Sequence, residues 1–133
     1  MNAKEYLQQI SIIDQEINYK LQQLEDLESM ATHITSVISD MPKAHDSGSR
    51  LEDAAVKIAD MKMEINKEVD ELVDLKAEAM TRISRIDDPR YRLVLEERYI
   101  HRYSWEDIAT DACCSLRSVH RLHGAALKAF QNL

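Results

Sequence analysis

An all-α fold, a long antiparallel helical hairpin of coiled-coil type followed by a C-terminal helix-turn-helix module, follows from three features of this 133-residue sequence. Gly and Pro number only 2 each, too few to supply the turns of an all-β chain. Aromatics make up 5% of the residues against 31% charged, the balance of long helices seamed by Leu, Ile, Met and Ala. Apolar residues also recur at helical spacing along most of the chain.

The first element runs from Ala3 to about Ser39. Its apolar stripe is Leu7, Ile10, Ile13, Ile17, Leu21, Leu24, Leu27, Ala31, Ile34 and Ile38. The mean step from Ile10 to Ile38 is about 3.5, the heptad period of a supercoiled helix. A polar stretch from Asp40 to Arg50, with Pro42 and Gly48, reads as a loop over about 40–50. The second run is Leu51, Ala54, Ile58, Met61, Ile65, Val69, Leu72, Leu75, Met80, Ile83 and Ile86. Two helices of matched length across a short loop fold back on each other. Ile12, Ala55, Met63 and Val73 fall off the seam, so residues 1–86 carry a second face to cover. A plain spacer, a partner-binding hairpin and a homo-oligomer through the hairpin are the readings this allows.

Residues 87–133 change character. Asp88-Pro89 suits an N-cap with proline in the first turn, opening a helix through Ile100 with Val94, Leu95 and Tyr99 inward. Ser104-Trp105-Glu106-Asp107 resembles a capping box for a short helix to about Ala112, with Ile108, Ala109 and Ala112 as its apolar face. Ser115 is placed to cap a third helix whose stripe is Val119, Leu122, Ala126 and Phe130. The charge divides likewise. Residues 1–81 hold 8 Lys+Arg and 17 Asp+Glu, residues 82–133 hold 9 and 7, and the whole chain is −7. An acidic whole therefore conceals a mildly basic end.

A short helix, a tight turn and a Ser-capped helix with a basic outer face read as a helix-turn-helix. Its candidate DNA-contacting residues are Ser104, Ser115, Leu116, Arg117, Ser118, His120 and Arg121. Arginine can present paired donors to a guanine edge, and Ser and His can reach bases or phosphates. Arg90, Arg92, Arg98 and Arg102 can add phosphate contacts or simply form a solvated face.

The segments Val94-Leu95-Glu96-Glu97-Arg98-Tyr99, Ser104-Trp105-Glu106-Asp107-Ile108-Ala109 and Ser115-Leu116-Arg117-Ser118-Val119 resemble region four of bacterial sigma factors. With Arg121-Leu122-His123-Gly124-Ala125-Ala126-Leu127 and the hairpin, the chain is similar to small sigma-like phage and prophage proteins of the ArpU/RinA group of late-transcription regulators. That resemblance implies a DNA-binding transcriptional regulator, an activator of phage genes acting with RNA polymerase in a bacterial cytoplasm. Sigma-like modules usually place Gly in the turn where this chain has Cys113. Either the turn avoids a positive φ here, or the module gives up some stability.

Other chemistries are poorly served. With Gly only at 48 and 124, no glycine-rich phosphate loop can form. Apolar runs are too short to span a membrane, and no signal-peptide core is present. Vicinal Cys113 and Cys114 fit a reducing compartment better than a structural disulfide. Together with His120 and His123 they match no common zinc spacing, so neither a metal nor another cofactor is expected. Adjacent acids such as Glu96-Glu97 and Glu106-Asp107 diverge on a helix, so no enzyme is expected. The rivals to DNA reading are a module that binds only protein, such as polymerase or a phage protein, and a DNA-packaging adaptor.

Overall fold

The computed structural model describes residues 1–40 and 45–133, except the side chains of 34–40 and 45–48. The elements in order are α1 (Ala3–Asp40), α2 (His45–Ile83), α3 (Pro89–Leu95) running into a π-helical turn (Glu96–Ile100), α4 (Trp105–Asp111) and α5 (Leu116–Gln131). The described residues contain no strand, and none of their helices is long and apolar enough to cross a membrane. The all-α expectation holds, with a correction at the loop. His45 to Arg50 is the start of α2 rather than loop, and residues 41–44 lie outside the described residues. A helix's first turn has N–H groups without intrahelical partners, so a polar stretch there is as compatible with helix as with coil.

The chain divides into two compact units, one of Met1–Asp14 with Glu71–Leu133 and one of Gln15–Asp70. The change in composition near Asp87 falls inside the first of these units. In the first unit, α1 opens with a reciprocal capping box. The Glu5 N–H donates to Asn2 Oδ1 at 2.8 Å, and the Asn2 N–H donates to Glu5 Oε2 at 3.1 Å. Leu7 and Ile10 of α1, Ile83 and Ile86 at the end of α2, Leu95 and Tyr99, and Ala126 and Phe130 of α5 form one core. Leu7, Ile10, Ile83 and Leu95 are fully buried, each stabilising the fold by about 1.5–3 kcal/mol. The Arg82 guanidinium lies 4.8 Å from the ring centres of both Tyr6 and Phe130, and the Ala3 N–H donates to Gln131 Oε1. A second, smaller core joins Val94, Ile108 and Val119, with Trp105, Ala109, Cys114 and Leu122 packed around it.

Among the described residues of the unit Gln15–Asp70, Ile17, Ala54 and Ile65 are the buried apolar side chains. Lys20 bridges Glu68 and Glu64, and Lys62 pairs with Glu28 at 3.5 Å. Among the described residues, three expected seam residues are exposed: Leu21, Val69 and Met80. On α2 the inward steps are Met61, Ile65, Glu68, Leu72, Leu75 and Ala79, alternating 4 and 3 residues. Val69 and Met80 lie one residue, about 100°, off that line. Glu68 takes an inward place because Lys20 neutralises it there.

Candidate nucleic-acid interface

Each helix of the C-terminal segment starts at the residue its sequence designates. The Asp88 carboxylate accepts from the Arg90 N–H at 2.9 Å, Ser104 Oγ from the Asp107 N–H at 3.2 Å, and Ser115 Oγ from the Ser118 N–H at 3.1 Å. Ser115 Oγ also lies 3.0 Å from Ser118 Oγ. The capping thus occupies one lone pair of Ser104 and links Ser115 to Ser118.

Between α4 and α5 the backbone turns at Cys113 with φ of 54°. The Cys114 N–H donates to the Ala109 carbonyl at 3.1 Å and the Cys113 N–H to the Thr110 carbonyl at 3.2 Å. These two bonds are a Schellman closure with a left-handed residue just after the helix. The question posed by Cys113 is therefore answered: the turn keeps the glycine-type conformation and bears a side chain in it, at a cost of about 1–2 kcal/mol. Cys114, half-buried against the small core, anchors the turn from below. Arg102 makes a similar left-handed turn, φ of 59°, after the π-helical turn, closed by the Tyr103 N–H donating to the Glu97 carbonyl at 2.8 Å.

Along α5, Val119, Ala126 and Phe130 are buried and Leu122 is half-buried, which turns the opposite face outward. Leu116, Arg117, His120 and Arg121 lie exposed on the first two turns, and Ser118 is half-buried. The six arginines of residues 87–133 fall into two groups. Arg90 pairs with Asp88 at 3.1 Å, holding that carboxyl below its usual range, and Arg92 donates to the carbonyls of Ile86 and Asp87. Arg98 lies 4.2 Å above the Trp105 ring and donates to the Tyr103 carbonyl at 3.1 Å, while Arg102 pairs with Asp14. Among the described residues, Arg117 and Arg121 make no such contact. Of the four arginines expected to be solvated or phosphate-facing, Arg92 and Arg98 are half-buried in the fold, while Arg90 and Arg102 stay exposed and each pairs with a carboxylate.

The histidines have roles the spacing did not suggest. His120 packs on Trp105 with ring centres 4.8 Å apart, and His123 meets the same ring edge-on at 4.7 Å. His123 Nε2 lies 2.7 Å from the Tyr99 hydroxyl. Burial first, then the positive charges of Lys4, Arg98 and His120, push His123 down to about 4, so it is neutral near pH 7. No group of three His, Cys, Asp or Glu among the described residues is arranged to hold a metal ion.

Sequence reasoning missed Glu97. It sits buried at the π-helical turn with Oε2 unpaired, and burial, then a hydrogen bond to Asp111 and the charges of Asp107 and Glu96, push it up to about 7. Nothing in the pattern Glu96-Glu97 marks which of the two turns inward. A π-turn shifts the helix phase by a residue, and only the packing reveals it.

The fold and this site define an all-helical protein in which a hairpin is joined to capped short helices that leave two exposed arginines unpaired among the described residues. It belongs to the family described as Protein of unknown function (DUF1492), whose profile matches residues 43–131, the stretch holding α2 to α5. No curated protein and no solved structure matches the chain.

Proposed function

We propose that the chain is a DNA-binding transcriptional regulator that places the first turns of α5 in a major groove. In this reading α4, the Cys113 turn and α5 are a helix-turn-helix, and the protein is a phage or prophage activator that works with bacterial RNA polymerase in the host cytoplasm. It has no catalytic role. The observation that carries the reading is the division of the arginines. Arg117 and Arg121, four residues apart and so on one face, are exposed without a partner among the described residues, while the other four are engaged. A cation kept off every neighbouring carboxylate is available to a phosphate or a base edge. The likeness of this segment to sigma region four supports the same assignment.

The engagement of those four arginines also favours a second reading, a module that binds only protein, because few cations remain to neutralise phosphates. One experiment separates the two. Sites selected from a random double-stranded DNA library are assayed by gel shift across a salt series. Arg117→Ala and Arg121→Ala are each expected to cost about 1–3 kcal/mol of specific binding, with thermal stability unmoved beyond roughly ±0.5 kcal/mol. Arg50→Ala, exposed on α2, should leave DNA affinity intact. A folded double variant that binds as tightly as the parent would hand the assignment to the protein-only reading.

A further inference from the structure

In the unit Gln15–Asp70, α1 and α2 flank a groove of about 440 Å³. Each helix lines it with the same two-turn spacing, i, i+3, i+4 and i+7, at 23, 26, 27, 30 and at 57, 60, 61, 64. Its floor is Leu27, Met30 and Met61, of which Met30 is 60% exposed. Its rim carries Asp26, Asp60 and Glu64 against one cation, Lys57. The rim acids are weakly committed. Among the described residues Asp26 accepts from Gln22 alone, one turn before it on α1, and Glu64 shares Lys20 at 3.7 Å with Glu68.

We propose that this groove docks a basic amphipathic helix of a protein partner, with aliphatic side chains on the Leu27–Met30–Met61 floor and lysines or arginines against the acidic rim. Three features single out that occupant. Paired i, i+3, i+4, i+7 faces are the surface a third helix packs into, as apolar helices do when laid in a groove. Methionine supplies a floor that adapts to whatever aliphatic shape arrives. Charge decides the partner's sign: residues 15–70 hold twelve Asp+Glu and six Lys+Arg, so the same stretch of a second copy would bring like charge to an acidic rim. This site is separate from the α5 face and goes beyond the DNA-reading assignment.

The probe is a fluorescein-labelled peptide of Leu and Lys, with Leu at i, i+3, i+4 and i+7, titrated with the full chain and followed by anisotropy. Saturable one-to-one binding that weakens as salt rises is expected. Asp26→Lys with Asp60→Lys should weaken it about tenfold or more, and Met30→Gln severalfold. All three residues are exposed, so helicity by circular dichroism should be unchanged. Glu52→Lys with Asp53→Lys makes the same charge change on α2 outside the groove and should leave affinity within about twofold. The Arg117→Ala, Arg121→Ala variant should bind the peptide as the parent does, which keeps failure here distinct from failure of DNA binding. Three outcomes overturn the proposal: no saturable binding, equal weakening by the two charge-reversed pairs, or a parent that sediments as a dimer and a Met30→Gln variant that sediments as a monomer. The last would assign the groove to a second copy.

Discussion

Of the buried apolar residues among those the structure describes, fourteen lie in the unit formed by Met1–Asp14 and Glu71–Leu133, and three in Gln15–Asp70. Both units contain stretches of the same two long helices with the same heptad habit, so helix-forming tendency does not separate them. Where only two helices meet, each buries one stripe and its large residues stay half in water. Where α3 and α5 also pack, Leu7, Ile10 and Ile83 reach full burial. A coiled-coil sequence therefore sets a helix, and the number of neighbours sets how much that helix stabilises.

The sharpest way to break this contrast is to delete apolar volume in each unit and compare urea midpoints. Phe130→Ala should cost about 3–5 kcal/mol, because the ring is fully enclosed and Tyr6 and Arg82 cannot fill its space. Leu24→Ala, at a half-buried place in the thin unit, should cost no more than about 1–2 kcal/mol. Equal losses would mean that the two units share one level of packing.

Next in size is a pair of opposed pH effects confined to the dense unit. Glu97 has its folded pKa raised to about 7, so its burial costs stability above that pH and the cost is relieved as pH falls toward its ordinary value. His123 has its folded pKa lowered to about 4, so it contributes stability above its ordinary value that is lost as pH falls toward 4. The two slopes oppose each other between about pH 4.5 and 6.5. The parent's stability should therefore vary little in that window. Glu97→Gln should gain of order 2 kcal/mol at pH 8 and nearly nothing at pH 4, leaving a profile that falls on acidification. A Glu97→Gln profile parallel to the parent's would show that this carboxyl does not titrate near neutrality.

Smaller effects test the backbone. Cys113→Gly should stabilise by about 1 kcal/mol, since glycine occupies the left-handed region without a Cβ penalty. Gly124→Ala, in the interior of α5 with no atom within 4 Å of the added Cβ, should gain about 0.5–1 kcal/mol. Thermal melts of the two single variants and their combination should give additive shifts, because neither touches a shared side-chain contact. A destabilised Cys113→Gly would mean that the thiol, not the backbone, dominates at the turn.

What the sequence determined by itself is local. Caps at Asp88, Ser104 and Ser115 are each a single oxygen meeting the first free N–H groups of a helix, and such contacts are written in consecutive residues. The inward stripe of α5 and the exposure of Arg117 and Arg121 follow from 3.6 residues per turn and nothing else. Tertiary structure decided what depends on phase and on distant neighbours. It put Glu68 in the seam instead of Val69, buried Glu97 instead of Glu96, and fastened Arg102 to Asp14, 88 residues away. It also joined the start of α1 to the end of α5, through Ala3 and Gln131 and through Tyr6 and Phe130. Periodicity identifies which residues prefer burial; only the positions of the other helices fix the phase, the partner and the depth at which each is buried.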